Sequence, residues 1–213
     1  MKFIKQFIAL ATVSVAFTGL ASAQEAPDAL VKRISQDVIE TAKADKGIQA
    51  GDTRKVMELV ESKILPHVDF QRMTMLAAGR FWREATPQQQ QQLTEQFRSL
   101  LVFTYSGALS QVKDQTVDFK PMRADPGDTE VEVRSQVNMP RGEPIPLNYR
   151  VAKGPSGWKI YDINVLGAWL VETYKGTFAS EINKGGIDGL IKALTEKNKK
   201  LASKPLATNA PKK

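Results

Sequence analysis

The sequence predicts a single α+β domain, with helices first, then an antiparallel meander of four strands, then helices again. Three observations carry this expectation. Apolar residues recur at helical spacing as far as Val112, the period changes to two from Val117, and helical spacing returns at Ala168. A chain of 213 residues suits one domain with appendages and is long enough for a sizeable core. There is no internal repeat.

Four helical patterns open the chain. Pro27-Asp28 starts the first, in which Leu30, Ile34, Val38 and Ala42 share a face, and the stretch from Gly47 to Gly51 ends it. Asp52 and Thr53 are caps for a second, with Val56, Leu59, Val60, Ile64 and Leu65 on its face and Pro66 as its stop. Asp69 caps a third, running through Met73, Leu76 and Ala77 towards Phe81-Trp82. Thr86 followed by Pro87 at the first helical position opens the fourth and longest. There Leu93, Phe97, Leu100, Leu101, Tyr105, Leu109 and Val112 keep one apolar stripe over about five turns.

The strands follow. Val117 and Phe119 begin the first, and Asp125-Pro126-Gly127-Asp128 is a turn. Val131, Val133 and Val137 alternate with Glu130, Glu132, Arg134 and Gln136, as in a strand wet on one face. Ile145, Leu147, Tyr149 and Val151 alternate with Asn148 and Arg150. The last strand, 158–165, reads as covered on both sides: Trp158 and Ile160 fall on one face, Tyr161, Ile163 and Val165 on the other. A helix then resumes at Ala168 with Leu170, Val171, Tyr174 and Phe178 on one face. Gly185-Gly186 breaks it before a short last helix carrying Ile187, Leu190, Ile191 and Leu194.

The two ends have their own signatures. Lys2 and Lys5 precede an apolar run from Phe7 to Leu20 and then Ala21-Ser22-Ala23, so residues 1–23 read as a secretory signal peptide cut after Ala23. The protein is then expected to be exported and periplasmic. The formal charge of +7 falls to +5 once Lys2 and Lys5 are removed. The tail 197–213 carries six lysines and no acid, which leaves the body 24–196 at −1. The basic balance therefore belongs to a lysine-rich tail expected to be disordered. A nucleic-acid-binding face is not indicated, since such a face needs its cations on the folded body.

Composition excludes most catalytic chemistry. Without cysteine there is no disulfide scaffold, Cys-bound zinc, iron–sulfur cluster or thiol nucleophile. The single histidine, His67, follows a helix-ending proline and reads as a capping or surface residue. No phosphate-binding, dinucleotide or nucleophile-elbow motif and no acidic metal box is present. Asp162, between Tyr161 and Ile163, has two readings. It is a hydrogen-bond acceptor for a helix end, or a general base in an apolar pocket near Tyr105 or Tyr149. No catalytic residue, metal ligand or cofactor is assigned. What remains is apolar surface, which periodicity alone reads equally as filled core or as a hollow for a ligand.

The segment Gly79-Arg80-Phe81-Trp82-Arg83-Glu84-Ala85-Thr86-Pro87-Gln88, continued by Phe97, Leu100, Leu101, Tyr105 and Leu109, resembles the MlaC-type, or toluene-tolerance auxiliary, proteins. A second block matches as well. It comprises Trp158-Lys159-Ile160-Tyr161-Asp162, Gly167, Leu170-Val171, Tyr174, Phe178 and Gly185-Gly186-Ile187-Asp188-Gly189-Leu190-Ile191. Ala168-Trp169 departs from a common Val-Ser pair and Lys175 from a common arginine.

The resemblance implies a helical layer packed on a curved four-stranded antiparallel sheet, nuclear-transport-factor-like (NTF2-like). It also implies a phospholipid carrier whose ligand's acyl tails insert between the layers. The implied partners are an inner-membrane ABC-type complex with an MCE-domain subunit and an outer-membrane lipoprotein–porin complex. On the helical side, Trp82, Phe97, Leu100, Leu101, Tyr105, Leu109, Leu170, Tyr174 and Phe178 are then the expected tail-site residues. On the strands they are Val133, Val137, Leu147, Tyr149, Val151, Trp158, Ile160, Ile163 and Val165, with both faces of 158–165 included. Arg80, Arg83 and Arg150 are within the reading as phosphate contacts or as solvated side chains, and the lysine tail as a transient contact with anionic membrane. Two alternatives stay open: a small enzyme using Asp162, and an interaction module with a filled core.

Overall fold

Caps and prolines set the helix boundaries in the computed structural model, which describes residues 25–122, 124, 125 and 127–206. Helix α1 (Pro27–Ala44) starts at a proline whose missing N–H costs the first turn nothing, and buries Leu30, Ile34, Val38 and Ala42. Asp45 caps the single turn α2 (Lys46–Gln49). Asp52 caps α3 (Thr53–Leu59), accepting from the Arg54 and Lys55 N–H groups. The helix expected to reach Leu65 instead widens into a π turn, Val60–Ile64, and then a 3-10 turn, Leu65–His67. Pro66 has no N–H to give the α ladder.

Helix α4 (Phe70–Ala78) has Asp69 as its cap and ends at Gly79, whose φ of 59° and ψ of −130° no other residue adopts readily. Trp82 therefore lies on a separate 3-10 turn, Gly79–Arg83, and not on α4. Helix α5 (Pro87–Tyr105) opens with a capping box. The Gln89 N–H donates to the Thr86 hydroxyl (3.2 Å) and the Thr86 N–H to the Gln89 side chain (3.0 Å). The stripe expected to run on to Val112 changes pitch at Ser106, where a 3-10 turn (Ser106–Gln111) begins.

Five strands, one more than expected, form an open antiparallel sheet in chain order. They are β1 (Thr116–Phe119), β2 (Glu130–Asn138), β3 (Ile145–Gly154), β4 (Gly157–Val165) and β5 (Ala168–Trp169). The fifth replaces the start of the expected last helix. Leu166 and Gly167 both have positive φ (54° and 87°), the geometry of a tight hairpin turn, and this folds Ala168-Trp169 back onto Asn164-Val165.

Strand β4 also departs from simple alternation. Arg150 faces Asp162 but Val151 faces Ile160, so Tyr161 is an extra residue, a β-bulge. The bulge shifts the phase of the strand by one. Ile160 pairs through Val151 with Val131, and Ile163 through Tyr149 with Val133. Trp158, Ile160, Ile163 and Val165 thereby share the face of Val133 and Tyr149, and the expected split of Ile163 and Val165 to the opposite side does not occur. The other face carries Glu130, Glu132, Arg134 and Asn148.

Helix α6 (Leu170–Ala202) is two limbs joined at Gly185 (φ −140°, ψ 15°) and Gly186 (φ 68°, ψ −170°). The second limb passes the expected boundary at Glu196. Lys197 to Lys200 are helical, and buried Asn198 donates to the Gln96 carbonyl (2.8 Å) and side chain (2.9 Å). The expected signal segment 1–23 and residues 207–213 of the expected tail lie outside the described residues. Among those described, no helix is long and apolar enough to cross a membrane. The helices and sheet enclose a main core, and α1 to α3 enclose a second, smaller one around Ile34, Val38, Ile48 and Val56.

Two expectations follow. Thr86→Ala removes the hydroxyl half of the capping box, leaving the backbone N–H of residue 86 to donate to Gln89, and should lower unfolding free energy by about 1 kcal/mol, read by urea denaturation. Gly186→Ala meets no atom within 4 Å. Its penalty is then purely conformational, of order 1–3 kcal/mol for an L residue in this region of φ/ψ, and should appear as a lower midpoint with an unchanged urea slope.

Candidate functional site

Sixteen of the eighteen residues expected to line a tail site meet in the main core between the helices and the sheet. Helix α5 supplies Phe97, Leu100, Leu101 and Tyr105, and α6 supplies Leu170, Tyr174 and Phe178. The 3-10 turn before α5 supplies Trp82, and the sheet supplies Val133, Leu147, Tyr149, Val151, Trp158, Ile160, Ile163 and Val165. Two fall elsewhere. Leu109 packs on the second core, because the 3-10 turn after Tyr105 rotates it out of the α5 phase. Val137 points to the same side as Val133 but sits near the end of β2, half-buried and outside both clusters.

Helix spacing explains the heart of this interface. Phe97 and Leu101 are one turn apart on α5, as are Tyr174 and Phe178 on α6, so each pair projects from one face. The Phe97 ring meets Tyr174 edge-on with centroids 5.1 Å apart and Phe178 with centroids 4.9 Å apart, while Tyr174 and Phe178 are 6.2 Å apart and tilted. Phe97 and Phe178 are wholly buried. Tyr105, Tyr174, Leu147, Ile163 and Val165 are only half-buried, so the apolar interface reaches solvent through these residues.

The few polar groups in it are hydroxyls. Tyr174 lies with its phenol near the Tyr105 phenol and the Thr104 hydroxyl, and burial raises the pKa of both phenols, which keeps them protonated. Tyr149 faces the hydroxyls of Ser35 and Ser135, and burial raises it too.

Asp162 is fully buried but belongs to the opposite face of the sheet from this interface. One carboxylate oxygen accepts from the Ile163 N–H (2.9 Å) and from the Val171 N–H at the start of α6 (3.1 Å). The other receives Arg150 at 3.4 Å. Burial pushes its pKa up, and the two N–H bonds oppose that shift. The carboxylate is thus occupied in holding α6 to β4, the first of the two readings of this residue. Arg150 also stacks on Trp169 at 4.0 Å and Arg80 on Phe81 at 4.8 Å, while Arg83 is exposed. Among the described residues no cluster of three or more acids and histidines is placed to hold a metal ion.

Several residues of the main core were outside the expected set: Phe119 on β1, and Ile182, Leu190 and Leu194 on α6. The α6 residues had a signal, the spacing of Ile187, Leu190, Ile191 and Leu194. It marked a helix face without showing that the second limb folds back beside α5.

The comparisons with known proteins concern nearly this whole chain. The family model described as MlaC protein matches residues 32–196. The intermembrane phospholipid transport system binding protein MlaC of Haemophilus influenzae is 25% identical over 210 residues, covering 96% of each chain. The toluene tolerance protein ttg2D of Pseudomonas putida is 25% identical over 180 residues, 84% of this chain and 83% of its own. A phospholipid-binding protein from Ralstonia solanacearum, solved in complex with a phospholipid, superposes with a TM-score of 0.78 at 52% identity, covering 83% of this chain and 98% of that one. On the match across its folded body, the chain belongs to the MlaC family.

Proposed function

We propose that the protein is a periplasmic phospholipid carrier that holds acyl tails between the helical layer and the sheet, and that it shuttles lipid between an inner-membrane ABC-type complex with an MCE-domain subunit and an outer-membrane lipoprotein–porin complex. The observation that carries the reading is the likeness at 52% identity to a chain solved with a phospholipid. The site geometry supports it: apolar side chains from both layers converge on Phe97, Tyr174 and Phe178 and extend to half-buried positions open to solvent.

The energetics fit a carrier. Burying a methylene is worth about 0.8 kcal/mol, so two tails of roughly 16 carbons need on the order of 25 kcal/mol of shelter that water does not give. The residues that would shelter them pack on one another, so loading requires the layers to part. Acyl chains then take the place of the side chains that have separated, and apolar burial changes little. The aromatic trio suits such an exchange, since its members are joined by ring contacts.

Native mass spectrometry of protein purified from a periplasm without detergent should show the mass excess of one phospholipid, recoverable by solvent extraction. Leu101→Glu, at the buried centre of the interface, should abolish that excess. Ile163→Glu, at a half-buried position on the sheet side, should do the same at less cost to the fold. Full retention of lipid by both variants would move the tails elsewhere.

The lysine-rich end is the second element of the reading, as a transient contact with anionic headgroups. Deleting residues 203–213, which follow α6, should weaken binding to anionic vesicles at low salt by up to about 1 kcal/mol per lysine removed from the surface, and should have no effect at high salt.

A further inference from the structure

Hydrogen bonds sort the helical layer into two groups. One group is gathered on α5. The Gln90 side chain donates to the Trp82 carbonyl (2.9 Å), which joins the turn Gly79–Arg83 to this helix. Gln89 donates to Asp188 (2.8 Å) and Asn198 to Gln96 (2.8 and 2.9 Å), which fasten the second limb of α6 to α5 at both ends. The other group is held to the sheet. The Asp69 N–H donates to the Ile160 carbonyl (2.8 Å) at the start of α4, and the Val171 N–H to Asp162 (3.1 Å) at the start of the first limb. None of these bonds crosses from one group to the other. Across the boundary stand the ring contacts of Phe97 with Tyr174 and Phe178, and the Tyr174 phenol near Tyr105 and Thr104.

The chain enters the α5 group after Gly79, leaves it where a 3-10 turn begins at Ser106, and returns to it past Gly186. The φ values of Gly79 and Gly186 are 59° and 68°, where an L residue is strained, and a Cβ at either would meet no atom within 4 Å. Both glycines therefore serve dihedral angle and not space. The limbs on either side of Gly186 keep their ion pairs to themselves, Lys184 with Glu181 on the first and Lys199 with Glu196 on the second. A cleft of about 240 Å³ lies between them, with Thr177 on one side and Ala193 on the other, so they do not interlock as a close-packed interior does.

We propose that the turn Gly79–Arg83, α5 and the second limb of α6 form one flap, hinged at Gly79 and at Gly185-Gly186, which swings away from the sheet, α4 and the first limb. Hinges of this kind confine the dihedral change to a few residues at element ends and leave both bodies intact. The swing draws Phe97 off Tyr174 and Phe178, ring contacts whose loss leaves no hydrogen-bonding group unpaired. That the flap admits an acyl tail at these rings rests on the carrier reading. The division of the molecule into two bodies does not.

The chain has no cysteine, so engineered cysteine pairs take spin labels only where they are placed. Arg98 on α5, Lys192 on the second limb, Lys175 on the first and Glu132 on the sheet are all exposed. Spin–spin distances are measured in lipid-free protein and in protein loaded from dioleoylphosphatidylglycerol vesicles, with loading checked by native mass spectrometry. The pairs within a body, Arg98→Cys with Lys192→Cys and Lys175→Cys with Glu132→Cys, should keep their distances. The pairs between bodies, Arg98→Cys with Lys175→Cys and Lys175→Cys with Lys192→Cys, should shift by about 2 Å or more, the scale of helix shifts between two packings. Adding Gly186→Ala gives a readout without lipid. Its Cβ penalises the hinge angles of the closed form, so the between-body distances should shift or broaden in lipid-free protein while the others hold. Between-body distances that stay fixed on loading, within-body distances that shift as far, or wild-type distances in the Gly186→Ala protein would overturn the flap. Protein that takes up no lipid would sink the carrier reading alone, and the flap would then stand or fall on Gly186→Ala.

Discussion

The hydrogen bonds of Asp162 are the constraint on which the arrangement of the molecule turns. A carboxylate buried on the middle of β4 is costly unless its oxygens are used, and here they accept from two backbone N–H groups and from Arg150. The Val171 N–H is one of the orphan donors at the start of α6, so the bond fixes that helix end on the sheet. From there the helical repeat carries Tyr174 and then Phe178 to their places against Phe97. Were the end of α6 free to slide, the aromatic contacts between α5 and α6 would have no set position.

The bulge at Tyr161 is the complementary device in the sheet. Without an extra residue, a strand carrying Ile160 and Ile163 would send one of them to each face. With it, both join the apolar face, and buried Asp162 and Asn164 share the other. Tyr161, displaced from the ladder, donates its hydroxyl to Glu130 (2.9 Å) and lies under the Arg72 guanidinium at 4.0 Å. The helix–sheet interface gains an unbroken apolar wall, and the polar residues of β4 are gathered where they find partners.

Most of the element order was legible from periodicity, because helices of three turns or more and alternating strands leave strong patterns. What escaped was set by contacts that spacing does not encode. The pitch change after Tyr105, which sends Leu109 to the other core, is marked only by Gly107, and a helical pattern tolerates an isolated glycine. The phase of β4 depended on a bulge that appears only once Arg150 and Val151 are paired across the ladder. The hairpin turn at Leu166-Gly167 was hidden because a leucine rarely takes positive φ. The candidate site was legible in its residue types, but its convergence required the second limb of α6 to fold back beside α5. The role of Asp162 was legible only as a choice between two readings, which the Val171 N–H bears on directly.

The nearest-neighbour order of the sheet has a consequence for how the chain folds. Each strand pairs only with those adjacent in sequence, and β3 and β4 are joined across the two residues Pro155 and Ser156, so the sheet ladders close over short loops with small entropic cost. Low contact order of this kind favours early formation of the hairpins. Helix α6 is different. It is the last of the described elements and must reach back to α4 and α5 to place Phe178 and Leu190. Until it seats, the apolar wall of the sheet has only part of its cover.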